Sequence, residues 1–147
     1  MPKVGVIGGS ALDTIENLEV SHREMVNTPY GATSSPLLFS KMNGGDIVSI
    51  HRHGFGHTIA PHEINYRANI WALKSLGVER IISISACGSM KEKYAPRHIV
   101  IPDQIYDNTK KRDYSFFEQG LVAHIGIADP FCPHLRQTLH DATVKAG

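Results

Sequence analysis

Two short stretches, Lys3 to Ile7 and Arg80 to Ser85, crowd Val and Ile at successive positions, and each runs straight into a glycine-containing loop, Gly8-Gly9-Ser10 and Ala86-Cys87-Gly88-Ser89. A strand with apolar side chains on both faces needs cover on both sides of its sheet, which helices on crossover connections supply. Between the two stretches, Leu37 to Met42 and Asp46 to His51 flank Asn43-Gly44-Gly45 and read as an antiparallel hairpin. From Pro61 to Leu76 the spacing changes: Ile64, Ala68, Trp71 or Ala72, and Leu76 recur at three- and four-residue intervals, so one face of a helix is apolar and Gly77 stops it. Pro133 to Lys145 carries Leu135, Leu139 and Ala142 on one face and predicts a second amphipathic helix, with Gly147 past its end. His98 to Ile101 and Gln104 to Asp107 are further strand candidates. Strands alternating with helices place the chain in the α/β class, and 147 residues without repeats or a linker fit one domain with one core.

The charge balance narrows the partners. Fifteen Lys+Arg against 14 Asp+Glu leave a formal charge of +1, and the longest basic block is Lys110-Lys111-Arg112, so the footprint of a nucleic-acid binder is missing. No apolar run approaches the roughly 20 residues that span a bilayer, and Met-Pro-Lys followed by Val4-Gly5-Val6-Ile7 lacks the h-region of a signal peptide. The expectations are a small-molecule partner, no nucleic acid, no membrane and a cytoplasmic location. Cys87 and Cys132 form neither a disulfide framework nor a zinc motif and read as reduced thiols.

In α/β sheets ligands sit beyond the carboxyl ends of the strands, and three polar loops fall there. Gly8-Gly9-Ser10 offers backbone N–H groups and a hydroxyl to an oxyanion, although a tight turn with no ligand fits it equally well. Arg52-His53-Gly54 ends the second hairpin strand with a guanidinium suited to bidentate phosphate binding and an imidazole able to donate beside it. With the Ala86-Cys87-Gly88-Ser89 loop they suggest an oxyanion site assembled from three strand ends, with phosphate as the natural guest, whereas a solvated surface charge is the other reading of Arg52. His51, His53, His57 and His62 invite a zinc reading, but their spacing matches no metal motif and no tetrahedral set emerges, so no metal is expected. Glu63 suits the first turn of the helix. Cys87 lacks a sequence-marked partner His or Asp, and a packed, inert cysteine is the simpler reading. Trp71 reads as a core residue. Tyr114, Phe116 and Phe117 suit either the wall of an apolar pocket or a subunit contact.

Six segments then occur in the order known from one family: Val6-Ile7-Gly8-Gly9-Ser10-Ala11-Leu12, Thr28-Pro29-Tyr30-Gly31, Arg52-His53-Gly54 with His57, Asn65-Tyr66-Arg67-Ala68-Asn69-Ile70-Trp71-Ala72-Leu73, Ser85-Ala86-Cys87-Gly88-Ser89, and Asp129-Pro130-Phe131-Cys132-Pro133. The chain resembles, over essentially its whole length, the N-terminal portion of the S-methyl-5'-thioadenosine phosphorylases, a branch of the purine nucleoside phosphorylases. The resemblance implies an α/β fold with a mixed sheet flanked by helices, incomplete at the C-terminus, with residues 1–147 as the N-terminal portion of a single domain. It implies a pentosyltransferase in purine and methionine salvage. Inorganic phosphate, a co-substrate, attacks C1' of 5'-methylthioadenosine and releases adenine and 5-methylthioribose 1-phosphate, without metal or organic cofactor. By the same resemblance Ser10, Arg52, His53, Ser85 and Ala86 bind phosphate, His57 lies near the ribose 5' side, and His124 reaches the 5' side of a neighbouring subunit's site in a homotrimer.

The chain departs from the family pattern in two places. The family loop usually reads Gly-Gly-Thr-Gly, whereas Ser10 and Ala11 stand here, keeping the hydroxyl but reducing backbone freedom. The later family segments that hold the purine and ribose are absent, so the catalytic groups are expected outside these residues and the 147-residue chain alone is expected to be inactive. Base preference is open on this reading: a 5'-methylthioinosine or other purine nucleoside phosphorylase is the alternative within enzymes, and a non-catalytic anion-binding or subunit-interaction fragment is the alternative of another class.

Overall fold

A computed structural model describes residues 3–9, 12, 15–16, 18–113 and 115–147, which leaves Ser10, Ala11 and Tyr114 outside the described residues. The chain divides into two units, Met1–Ala86 and Cys87–Gly147.

The first unit is built on the hairpin. Strand β5 (Leu37–Met42) and strand β6 (Gly45–His51) pair antiparallel with Met42 opposite Gly45. The two residues between them, Asn43 (φ 49°) and Gly44 (φ 78°), both adopt the left-handed conformation that a tight hairpin turn needs, which is why Asn-Gly stands there. Strand β1 (Val4–Gly8) runs parallel to β6, with Val4 opposite Ile47 and Gly8 opposite His51. Strand β7 (Arg80–Ser83) runs parallel to the other side of β1. Strand β2 (Glu19–Glu24) closes the far edge against β5, giving the order β2-β5-β6-β1-β7 in a five-stranded mixed sheet. Strands β3 (Asn27–Thr28) and β4 (Gly31–Ala32) form a separate two-stranded pair.

Helix α1 (Tyr66–Ser75) covers one face of this sheet. The core holds Leu37, Val48, Ile50, Ala72, Leu73 and Val78, with Ile7, Phe39 and Ile81 packed against it. The helix begins five residues later than the periodicity predicts because Asn65 caps it. The Asn65 carboxamide oxygen accepts from Ala68 N–H at 3.1 Å, while its NH2 donates to the carbonyls of Tyr30 (2.7 Å) and Ala32 (3.3 Å). Ahead of it, Ala60 N–H donates to Glu63 Oε2 and Glu63 N–H to Ala60 O, so Glu63 closes a turn before the helix rather than serving its first turn. The helix ends as expected: Gly77 (φ 78°) donates to Lys74 O and Val78 to Leu73 O, the paired bonds of a glycine C-cap. The opposite face of the sheet presents Val4, Val6, Ile47 and Ile82 to a groove of about 540 Å3 that Leu12, Ile15 and Leu18 also line.

In the second unit, helix α2 (Pro133–Ala146) forms as predicted, but none of its residues is buried. The strand candidates His98 to Ile101 and Gln104 to Asp107 are irregular. Local bonds take the groups a ladder would use: Ile105 N–H donates to Gln104 Oε1 at 2.8 Å, and Thr109 N–H and Oγ1 both donate to Asp107 Oδ1. The Thr109 hydroxyl bond, with its backbone N–H, holds the Asp107 carboxyl below the usual carboxylate range. No helix of the described residues is long and apolar enough to cross a membrane.

Candidate anion site at three strand ends

Strands β6, β1 and β7 are parallel neighbours, so their carboxyl ends lie side by side, and the backbone continues the registry past them. Arg52 N–H donates to Gly8 O at 3.0 Å, and Ile84 N–H donates to Ile7 O at 2.9 Å. This brings the Gly8-Gly9 turn, Arg52 and the start of the Ser85-Ala86 loop to one edge, as three of the sequence-predicted elements require. Ser10, the predicted hydroxyl donor, lies outside the described residues.

The guanidinium of Arg52 spans the edge. Its Nη1 donates to Ile84 O at 2.6 Å, and its Nε donates to His53 Nε2 at 3.1 Å. An arginine has five N–H donors, so these two bonds leave three for an anion. Arg52 is half-buried, whereas Ser85 and Ala86 are exposed. A phosphate arriving here meets a fixed positive fork beside backbone groups, the combination that favours oxyanion binding.

His53 is buried, and both ring nitrogens are engaged: Nε2 with Arg52 and Nδ1 with Ile59 O at 2.9 Å. Gly54 (φ 73°) and Gly56 (φ 74°) turn the chain beyond it, and the ring of His57, itself at φ 58°, stacks on His53 at 4.3 Å between centroids. His57 is exposed beside the cradle, where a ligand can reach it. His51 is buried, its backbone N–H donating to Ser35 Oγ and its ring packing against Phe55 at 4.6 Å. Among the described residues no three of His, Cys, Asp and Glu are grouped to hold a metal ion.

His124 lies in the second unit, exposed, in the segment from Leu121 to Ile127. Cys87 is also exposed, contrary to the packed cysteine expected, because the loop after β7 leaves the sheet. Sequence reasoning missed the carbonyls of Ile59 and Ile84, which anchor His53 and Arg52. No side-chain pattern marks them, since any residue supplies a carbonyl.

The phosphorylase superfamily model matches residues 3–147. The S-methyl-5'-thioadenosine phosphorylase of Thermococcus kodakarensis is 48% identical over 147 residues, covering 100% of this chain and 56% of that protein. Among solved structures, a methylthioadenosine phosphorylase from an antarctic soil metagenomic library is 43% identical with a TM-score of 0.94, over 99% of this chain and 50% of that one. A mutant of the Schistosoma mansoni adenosine/methylthioadenosine phosphorylase in complex with methylthioadenosine is 38% identical with a TM-score of 0.93, over 99% of this chain and 53% of that one. The chain thus spans about half the length of the relatives it matches. The family model spans nearly the whole chain, and the mixed sheet superimposes on these enzymes at 43% identity, so common descent accounts for both: the chain belongs to the phosphorylase superfamily.

Proposed function

We propose that these residues form the phosphate-binding half of a nucleoside phosphorylase acting on 5'-methylthioadenosine. An oxygen of inorganic phosphate attacks C1', the bond from C1' to the base nitrogen breaks, and adenine and 5-methylthioribose 1-phosphate leave. The observation that carries this reading is the Arg52 guanidinium, tied to Ile84 O and His53 Nε2 at the ends of parallel strands with donors to spare. Its part is to bind and orient the nucleophile, since holding reactants in attack geometry lowers the barrier by itself. Ser10, Ser85 and Ala86 complete the phosphate shell, and His57 borders the ribose 5' side. The relatives named for methylthioadenosine support the substrate.

On this reading residues 1–147 are the N-terminal portion of one catalytic domain, the enzyme is cytoplasmic, and it uses neither metal nor organic cofactor. A homotrimer is proposed with it, His124 serving a neighbouring site. Leu121, Val122, Ile125 and Ile127, each at least 60% exposed, give that segment an apolar surface suited to burial against another protein surface.

The test is phosphate-dependent adenine release from 5'-methylthioadenosine by the complete protein, with its mass measured by light scattering. Hypoxanthine release from 5'-methylthioinosine alone would replace the adenine reading, and phosphate binding without turnover of any nucleoside would leave an anion-binding module.

A further inference from the structure

We propose that His53 is a positioning residue: its ring is a tautomer-locked acceptor that aims the Arg52 guanidinium at phosphate, and it does not itself donate to the anion. Both ring partners act in one direction only. The carbonyl of Ile59 can only accept, so Nδ1, 2.9 Å away, carries the proton. Arginine Nε can only donate, so Nε2, at 3.1 Å, is bare. The neutral Nδ1–H tautomer satisfies both contacts, whereas the Nε2–H tautomer or the imidazolium sets two N–H groups against each other at Arg52.

The surroundings hold this arrangement. The ring is 8% exposed. One face stacks on His57, and Ile59 is tied back by its own N–H donating to His53 O at 2.9 Å, so the carbonyl that fixes the ring belongs to a closed turn. The ring in turn restrains Arg52 at Nε while Ile84 O restrains Nη1, and two bonds at two atoms of a rigid plane fix its orientation. An arginine set before the anion arrives loses less side-chain entropy on binding it. The inference rests on the phosphate site proposed above and gives His53 a different role from the direct contact that family resemblance implies.

Two substitutions separate the functions of the ring nitrogens in the complete protein. His53→Gln puts a carboxamide oxygen near the Nε2 position and keeps an acceptor for Arg52. His53→Asn puts a carboxamide NH2 near the Nδ1 position and keeps only the bond to Ile59. The expected result is a phosphate KM raised about tenfold in H53N and within about threefold of native in H53Q, with the nucleoside KM unchanged in both. Calorimetric titration with inorganic phosphate should follow the same order without requiring turnover. If phosphate affinity follows this order among native protein, H53Q and H53N but the native protein turns over no nucleoside, the phosphorylase reading fails and the positioning role stands. Equal losses in both variants, native affinity in H53N, or no phosphate binding by the native protein overturns the proposal. Should a variant fail to fold, 15N NMR of histidine-labelled native protein decides: protonated Nδ1 with bare Nε2 at His53 supports the role, and a protonated Nε2 ends it.

Discussion

Replacing Arg52 by alanine removes the only side chain at the described strand ends that can pair bidentately with an oxyanion. Loss of its bond to Ile84 O (2.6 Å) frees a carbonyl in a residue that is 53% exposed, where water replaces the donor, while the buried His53 Nε2 loses its partner at a cost of about 1–3 kcal/mol, so the fold should survive with a lowered melting temperature. The three remaining N–H donors vanish from the anion. One charge-assisted hydrogen bond contributes about 1.5–3 kcal/mol, and at about 1.4 kcal/mol per factor of ten the loss of one such contact raises the phosphate KM by roughly ten- to a hundredfold. A bidentate pair falls toward the upper end. Arg52→Lys restores the charge but not the fork, because an ammonium that bonds Ile84 O has no second rigid donor pair, so it should recover only part of the loss. The assay is initial rate against phosphate at saturating 5'-methylthioadenosine, then the reverse, on the complete protein, with thermal melts to confirm folding. The nucleoside KM should stay near native. A native phosphate dependence in Arg52→Ala, or a nucleoside KM that rises as much as the phosphate KM, would refute the reasoning and remove Arg52 from the anion site.

Gly5→Ala should destabilise the first unit by about 1–3 kcal/mol, since the new Cβ falls 2.9 Å from Val78 Cγ1 and 3.4 Å from Leu73 Cδ1 where α1 packs on β1; a native melting temperature would contradict that packing. Asn65→Ala should cost about 1–3 kcal/mol by removing the α1 cap and the donors to Tyr30 O and Ala32 O, and Asn65→Asp should not restore native stability because a carboxylate has no N–H for those carbonyls; denaturant melts that show full rescue would reduce Asn65 to a simple cap. Chelator treatment should leave phosphorolysis intact, given a histidine arrangement with no grouped ligand set among the described residues; stoichiometric zinc lost together with activity would refute this. Residues 1–147 expressed alone should self-associate, because Val4, Val6, Ile47 and Ile82 line an apolar groove, and should release no adenine, because a chain that spans about half of its relatives holds phosphate without the groups that place the nucleoside; a monodisperse, active species by light scattering and adenine assay would overturn it.

Local chemistry was enough, from the amino-acid sequence alone, for the elements whose geometry is set within a few residues. Asn43-Gly44 dictates the hairpin, Gly77 the end of α1, and the runs around Val6 and Ile82 two strands, because φ preference and side-chain period act over that range, although β7 buries none of its residues. That polar loops follow the ends of β1, β6 and β7 was legible too, since each lies just beyond an apolar run. Tertiary structure decided what depends on groups far apart in the chain. The start of α1 is set by Asn65 reaching Tyr30 and Ala32, more than thirty residues away, which no periodicity encodes. The irregular path of Gln104 to Asp107 goes with a local bond that takes a ladder group, Ile105 N–H donating to Gln104 Oε1. Most of all, the role of His53 is invisible in the dipeptide Arg52-His53: its tautomer and the aim of Arg52 come from the backbone carbonyls of Ile59 and Ile84, groups that every residue carries and that only the folded chain brings within hydrogen-bonding distance.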